Sequence, residues 1–587
     1  MWFRPTLSVW VEININKERE IMRRLNFKKL FILSAIFFGL ALDSVGQTVP
    51  EEQVTVIAPY NPSISKAQKI NSLPANETNA NSKFRLDYST NPKLISTTFN
   101  LKELKAAQYL SPKTPQSKQN VVRVGAGLYT TPLAELSLNG KLKKDFTLGL
   151  HLRHLSSKAS VDDFAYSGFS NNNVDFSVKK TGINSLLAVS VFYQRDAFHY
   201  YGFRPGHFPV FVNLDSLTKQ LFSDAGFRIK FQKAQNAKKE LFEIDGAYRY
   251  FQDNFLNIEN LINISVSYQR PFEFLGIKKQ FVGLNSNTEI AITNWENYTQ
   301  EQAVDVALAN LSQQFFHGKT DLNLFYSLQY DRFNLKIGGG LSVGLDSSST
   351  IKIYPNIELR ANIIKNVLDT YILFDGGLIS PSYYSLSREN PFVNAFLPLN
   401  YSSRDFRLKA GLKANILGQV DVHLWGSKEN ISDKLFFVSD TNGFFSNQFS
   451  LIYDDVELLQ IGGNVAVNIG KASVGMELNY QKYTLAVQAQ AWYQPQLKGQ
   501  LSADYWLYDN VKLSMDIKGQ SIVWAKVGEN SYQIDPWVDL SLGGNYYFKK
   551  DLHAFVQINN VLSKKYEIWY NYPVKGFGAM LGISYAF

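Results

Sequence analysis

From Val121 to the final Phe587 the sequence keeps a two-residue rhythm, and that rhythm dictates strands with two unlike faces. In Phe146–Leu152, Phe146, Leu148, Leu150 and Leu152 alternate with Thr147, Gly149 and His151. In Phe406–Ala414 the apolar set Phe406, Leu408, Ala410, Leu412 and Ala414 alternates with Arg407, Lys409, Gly411 and Lys413. Val511–Lys518 and Val538–Gly543 repeat the pattern. Side chains at successive strand positions point to opposite faces, so each segment has an apolar side and a polar side. A soluble sandwich would alternate in the same way, and two further features decide against it. About 22 such segments can be counted, far more than a sandwich uses. Their connections also alternate between short (143–145, 365–369, 416–419, 470–471, 508–510, 548–551) and long (157–172, 196–220, 293–312, 379–402, 521–536, 561–575).

Short turns at one end and long loops at the other mark an outer-membrane barrel. Aromatic residues form 14% of the chain, with 32 Tyr and 42 Phe, while mean hydropathy is only −0.17. A wall that shows one face to lipid and one to water averages out in this way, and aromatic girdles raise the ring content. The expectation is therefore an all-β fold, a transmembrane antiparallel β-barrel of about 22 strands over residues 121–587, with lipid as its first partner. Hydrocarbon offers no hydrogen-bond partner, so the sheet must close on itself. Closure sets Gly576–Phe587 beside Val121–Tyr129. The final strand carries Ile583, Tyr585 and Phe587 on one apolar face, the expected C-terminal signal for barrel-assembly machinery.

The first 120 residues differ in kind. Arg23, Arg24, Lys28 and Lys29 precede an apolar run, Leu30–Leu42, and Ser44 and Gly46 supply small residues before a cleavage site at Gly46–Gln47. That is the layout of a secretory signal peptide, with Met22 as the functional start and residues 1–46 removed. The expected location is the outer membrane of a Gram-negative-type envelope. Residues 47–120 are rich in Pro, Asn, Ser, Lys and Thr and show little periodicity, so they read as a mostly irregular periplasmic arm.

Several chemistries are excluded. The chain has no Cys, hence no disulfides and no thiolate site. Its seven His lack metal-ligand spacing, and no nucleophile-elbow or phosphate-loop pattern occurs in a strand–turn–helix setting. The reading is no enzyme, no metal and no cofactor. Net charge is +9, roughly +6 once the first 46 residues are discounted, with no basic run interleaved with aromatics, so nucleic acid is not a partner. Arg153, Arg407, Lys409, Lys413, Lys512 and Lys518 make the lumen somewhat cationic, tempered by Asp421, Asp516 and Asp539.

Two loops stand out. Ala197–Phe211 carries His199, Tyr200, Tyr201, Arg204 and His207, and Pro381–Tyr401 carries Tyr383, Tyr384 and Arg388. Aromatic, arginine-bearing loops can contact a ligand or a partner surface. They can equally fold inward to cap the lumen or form the interfacial aromatic belt.

Three stretches resemble the TonB-dependent outer-membrane receptors. EEQVTVIA (Glu51–Ala58) looks like a TonB box, with Val54, Thr55, Val56, Ile57 and Ala58 as the strand offered to a TonB-type energy-coupling protein. Val124–Leu142 with Leu150–Ser157 looks like the opening strands of a receptor-like subgroup, and Phe555–Phe587 looks like the receptor C-terminus. The resemblance implies TonB-linked uptake of a scarce nutrient. Such receptors carry a plug of roughly 130 or more residues, however, whereas only about 75 residues lie between Gln47 and Val121 here, so the plug is shortened or absent. That departure keeps two alternatives open: a non-transporting barrel that docks other envelope proteins, and a passive pore partly blocked by its arm.

Overall fold

The computed structural model describes residues 120–587 apart from 159, 208–217, 236–239, 275, 296–312, 347–349, 398 and 442–444. The signal-peptide reading, the arm and the Val54–Ala58 strand lie outside the described residues. Within them, 22 antiparallel strands form one closed barrel. Each strand pairs with its neighbours in sequence, and Val121–Gly127 closes the ring against Gly578–Ala586. At that seam Val121 faces Ala586 and Gly127 faces Met580, the closure that the alternation demanded. Phe587 donates its backbone N–H to the Asn120 carbonyl at 2.9 Å, extending the seam to the last residue. No helix among the described residues is long and apolar enough to cross a membrane, a test that does not bear on strands.

The two ends differ as the connections foretold. Pairs such as Gly470–Lys471 and Asp509–Asn510 make tight turns at one end. At the other end the strands run long. Val420–Asp440 has 21 residues and Gln448–Ile469 has 22, about twice what a tilted strand needs to cross hydrocarbon. These strands therefore rise well beyond the bilayer on the long-loop side, the outer side of such barrels. Two small hairpins, Val523–Val527 with Asn530–Ile534 and Glu567–Trp569 with Tyr572–Pro573, lie in the long loops. The one described α-helix, α1 (Tyr383–Glu389), lies there too.

The wall separates its two solvents residue by residue. Leu581 and Ile583 are 66% and 51% exposed on the outer face, whereas Ser584 between Ile583 and Tyr585 is 5% exposed and faces the interior. Leu581→Arg would set a guanidinium in hydrocarbon near mid-depth, at a cost of about 2–4 kcal/mol. The expected result is a lower urea midpoint for the barrel refolded in lipid vesicles, and an unchanged midpoint would place Leu581 away from lipid. Inside, charges pair across strands. Arg228 makes a two-pronged bond to Asp245 at 2.8 and 2.6 Å, and Arg407 does the same with Asp375 at the same distances. Lys230 meets Glu243 at 2.6 Å, Lys512 meets Asp504 at 3.2 Å, and the Lys409 ammonium sits 3.8 Å over the Trp425 ring. The cationic lumen anticipated from Arg407, Lys409 and Lys512 is thus partly neutralised by carboxylates and rings of the same wall.

Candidate functional site

Ser382 starts the short helix α1. It holds an extended backbone, its hydroxyl accepts the Ser385 N–H at 3.1 Å, and the Ser385 hydroxyl accepts the Ser382 N–H at 2.9 Å. Such a reciprocal cap satisfies donors that a helix start would leave bare. The helix ends at Asn390, whose N–H reaches Leu386 O at 2.8 Å, and Pro391 follows, which cannot continue it.

This helix crosses the mouth of the barrel. It belongs to the loop between the thirteenth strand, Leu368–Ile379, and the fourteenth, Ser402–Ile416, yet its partners sit on the fifth, sixth and eighth strands. Neighbouring strands are about 4.8 Å apart, so a segment can touch a wall five to eight places away round the ring only by spanning the lumen. Glu259, at the outer end of the eighth strand, accepts the Tyr383 N–H at 3.0 Å and the Tyr384 N–H at 2.8 Å. The Tyr383 hydroxyl donates to Asp253 at 2.9 Å. At the other end of the helix, Arg388 Nη1 reaches Asp196 at 2.5 Å and Nη2 reaches Asp224 at 3.2 Å. Arg249 also bonds Asp224, and its guanidinium lies between two rings, 4.4 Å from Phe192 and 4.1 Å from Tyr384. Burial, reinforced by the Asp253 carboxylate, holds the Tyr383 phenol well above its ordinary range. Burial likewise pushes the Asp253 carboxyl up, against bonds from Asn257, Tyr383 and Phe255.

Above this polar seat the loops pack a continuous apolar dome. Phe392 stacks on Tyr572 at 3.6 Å and meets Phe198 and Tyr201 edge-on at 6.0 and 5.8 Å. Val393 is fully buried and bridges to Phe449, which packs on Tyr493 and Trp569. Phe436, Phe437, Trp492, Val523 and Ile534 complete the cluster. Each fully buried large side chain contributes about 1.5–3 kcal/mol and each good ring pair about 0.5–1.5 more, so the dome is an ordered core rather than a fringe of loops.

The two loops singled out from sequence therefore meet. Tyr200 and Tyr383 are each 2% exposed. Tyr200 receives a bond from Gln220 at 2.9 Å, and Tyr201 donates to Pro573 O at 3.0 Å. Tyr384 and Arg388 lie on the wall seat, and His199 pairs with Gly168 O at 3.0 Å. Arg204 and His207 stay exposed beside them. The helix of the Pro381–Tyr401 loop turns inward onto the far wall. The wall partners Asp196, Asp224, Arg249, Asp253 and Glu259 were not singled out from sequence. Their one signal is position, as ionisable residues at the outer ends of strands. At the opposite end of the chain Ile583, Tyr585 and Phe587 share the lipid face, with Tyr585 and Phe587 stacked at 5.8 Å. No group of His, Cys, Asp and Glu able to hold a metal occurs among the described residues.

No family model and no curated protein matches the sequence. Solved structures do match in fold. The pyoverdine outer membrane receptor FpvA from Pseudomonas aeruginosa, bound to pyoverdine, aligns with a TM-score of 0.60 at 13% identity, over 80% of this chain and 78% of that one. The siderophore receptor PirA from Acinetobacter baumannii aligns with a TM-score of 0.60 at 9% identity, over 80% of each chain. A mutant of the ferric enterobactin receptor PfeA from Pseudomonas aeruginosa aligns with a TM-score of 0.56 at 11% identity, again over 80% of each. These similar structures are receptors rather than enzymes, and their shared feature with this chain is the 22-stranded barrel.

Proposed function

We propose that this chain is an outer-membrane receptor whose barrel takes up a substrate with TonB-type energy coupling. One observation carries the reading: a closed 22-stranded wall of the siderophore-receptor fold carries at its outer end a helix seated across the lumen and a buried ring cluster beside it. On this reading the seated helix is lifted by work delivered from the periplasm, a coupling supported by the likeness to TonB-dependent receptors. In this proposal Val54–Ala58 pairs with the coupling protein by strand addition, in which backbone bonds give affinity and alternate side chains give specificity. The C-terminal Ile583, Tyr585 and Phe587 direct the barrel to its assembly machinery.

The test places a photo-crosslinking residue at Thr55 and adds the periplasmic domain of a TonB protein. A crosslinked adduct that Val56→Pro removes is the expected result, since proline deletes a ladder donor. No adduct from an intact, folded barrel would overturn the coupling. The dome also favours a second reading, a non-transporting barrel that docks other envelope proteins. Purification from native membranes separates the two: a stoichiometric polypeptide in place of a small ligand supports the docking role.

A further inference from the structure

The wall seat under the helix is charged beyond what the helix brings to it. Of its four carboxylates, Asp196 and Asp224 meet two guanidiniums, Arg249 from the wall and Arg388 from the loop, while Asp253 and Glu259 accept the Tyr383 hydroxyl and backbone N–H. Asp224 is 1% exposed, yet only its Oδ2 is used. Its Oδ1 is buried and has no partner among the described residues. A buried, unsatisfied carboxylate oxygen is costly, and this one belongs to the group that receives Arg388. What the loop offers the wall is also chemically plain: two consecutive backbone N–H groups for Glu259, a phenol for Asp253, a ring over Arg249, and a guanidinium fork for Asp196 and Asp224. Tyr384 and Arg388 stand four apart on one helix face, with the guanidinium 5.3 Å from the ring. Every one of these groups belongs to a peptide that carries an aromatic residue and an arginine.

We propose that the Asp196–Asp224 seat is a binding site for an arginine-bearing peptide, and that the Tyr383–Arg388 turn is its resident internal occupant. An incoming peptide takes over the fork on Asp196 and Asp224 and the ring position over Arg249, and the turn leaves the wall. Planar, two-pronged recognition selects guanidinium over ammonium, because the fork matches two acceptors held at a fixed spacing. The proposal rests on the receptor reading and names the substrate class for it. Binding to the barrel needs no energy coupling, so the two fail separately.

The full chain in detergent would be titrated with fluorescent Tyr-Tyr-Ser-Leu-Ser-Arg amide and with the same peptide carrying neutral citrulline for arginine. The Arg388→Ala variant should bind the arginine peptide at least tenfold more tightly than the citrulline peptide, and at least tenfold more tightly than the unmodified chain does. Adding Asp196→Asn should remove that preference. In the unmodified chain the arginine peptide, and not the citrulline one, should speed trypsin cleavage after Arg388. Equal binding of the two peptides, competition by spermidine as effective as by the arginine peptide, or no change in cleavage would each overturn the site. Should Arg388→Ala fail to give a folded barrel on unheated gels, Arg388→Lys keeps the charge without the fork and should give the same preference, reduced. A failed crosslink at Thr55 with intact peptide binding would remove the coupling and leave this site standing.

Discussion

Glu259→Ala is expected to release α1 from the wall, with amide exchange at Tyr383 and Tyr384 accelerated about 100-fold. The carboxylate accepts three bonds, from the Tyr383 and Tyr384 N–H groups and from the Thr293 hydroxyl at 3.2 Å. Alanine leaves two backbone donors of the first helical turn without an acceptor in a site closed to water. Each buried orphan costs about 1–3 kcal/mol. A total near 3 kcal/mol corresponds to about two decades in the opening equilibrium, at about 1.4 kcal/mol per decade. Desolvation of the carboxylate itself works in the other direction, so Glu259→Gln separates the two effects. It keeps one acceptor oxygen without the charge and should give an intermediate rate. Hydrogen exchange read by mass spectrometry on the barrel in lipid nanodiscs checks this, with amides of the Val121–Gly127 seam as an unaffected reference. Unchanged exchange at Tyr383 in the alanine variant would show that the dome, not Glu259, holds the helix down.

The barrel was legible in the sequence because its environment acts on every second residue. Leu581 and Ile583 must meet hydrocarbon and Ser584 must not, and that rule can be read without knowing any partner. The seam followed by elimination, since a sheet in lipid has no tolerable edge. The mouth obeys no such local rule. Arg388 is 192 residues from Asp196 in sequence, and Tyr383 is 130 from Asp253. Neither spacing nor composition marks those pairs. Asp224 reads along its strand like any other lumen carboxylate, such as Asp245, which serves only its neighbour Arg228. The rings of the long loops were equally ambiguous. Tyr200, Phe392 and Tyr572 have the composition of an interfacial belt, and only their mutual packing makes them a core. What the sequence did mark was two ring-rich loops that pack against each other, because aromatic density in a connection that ought to be polar needs some partner for its apolar surface.

Gly582→Val is expected to prevent the barrel from closing, the largest effect foreseen for any single substitution here. Gly582 lies on the final strand opposite Gly125 on the first and Phe555 on the other neighbour. A Cβ built at Gly582 falls into steric overlap with the Phe555 ring and with the Val124 carbonyl oxygen. The ring is a side chain and can swing aside. The carbonyl belongs to the paired backbone of Val121–Gly127 and cannot move without breaking the ladder that joins the chain's two ends. A barrel is unlike a soluble sheet at this point. An unpaired edge in water keeps its hydrogen bonds to solvent, whereas in hydrocarbon each exposed N–H and C=O costs several kcal/mol. Loss of pairing at one residue of the seam therefore spreads to its neighbours. The measurable outcome is loss of the heat-modifiable species on gels and proteolysis of the chain during export, with transcript unchanged. Phe555→Ala in the same chain should restore assembly only in part, because it removes the ring and leaves the carbonyl in place. Full assembly of Gly582→Val alone would mean that Gly578–Ala586 does not pair with Val121–Gly127 in the membrane.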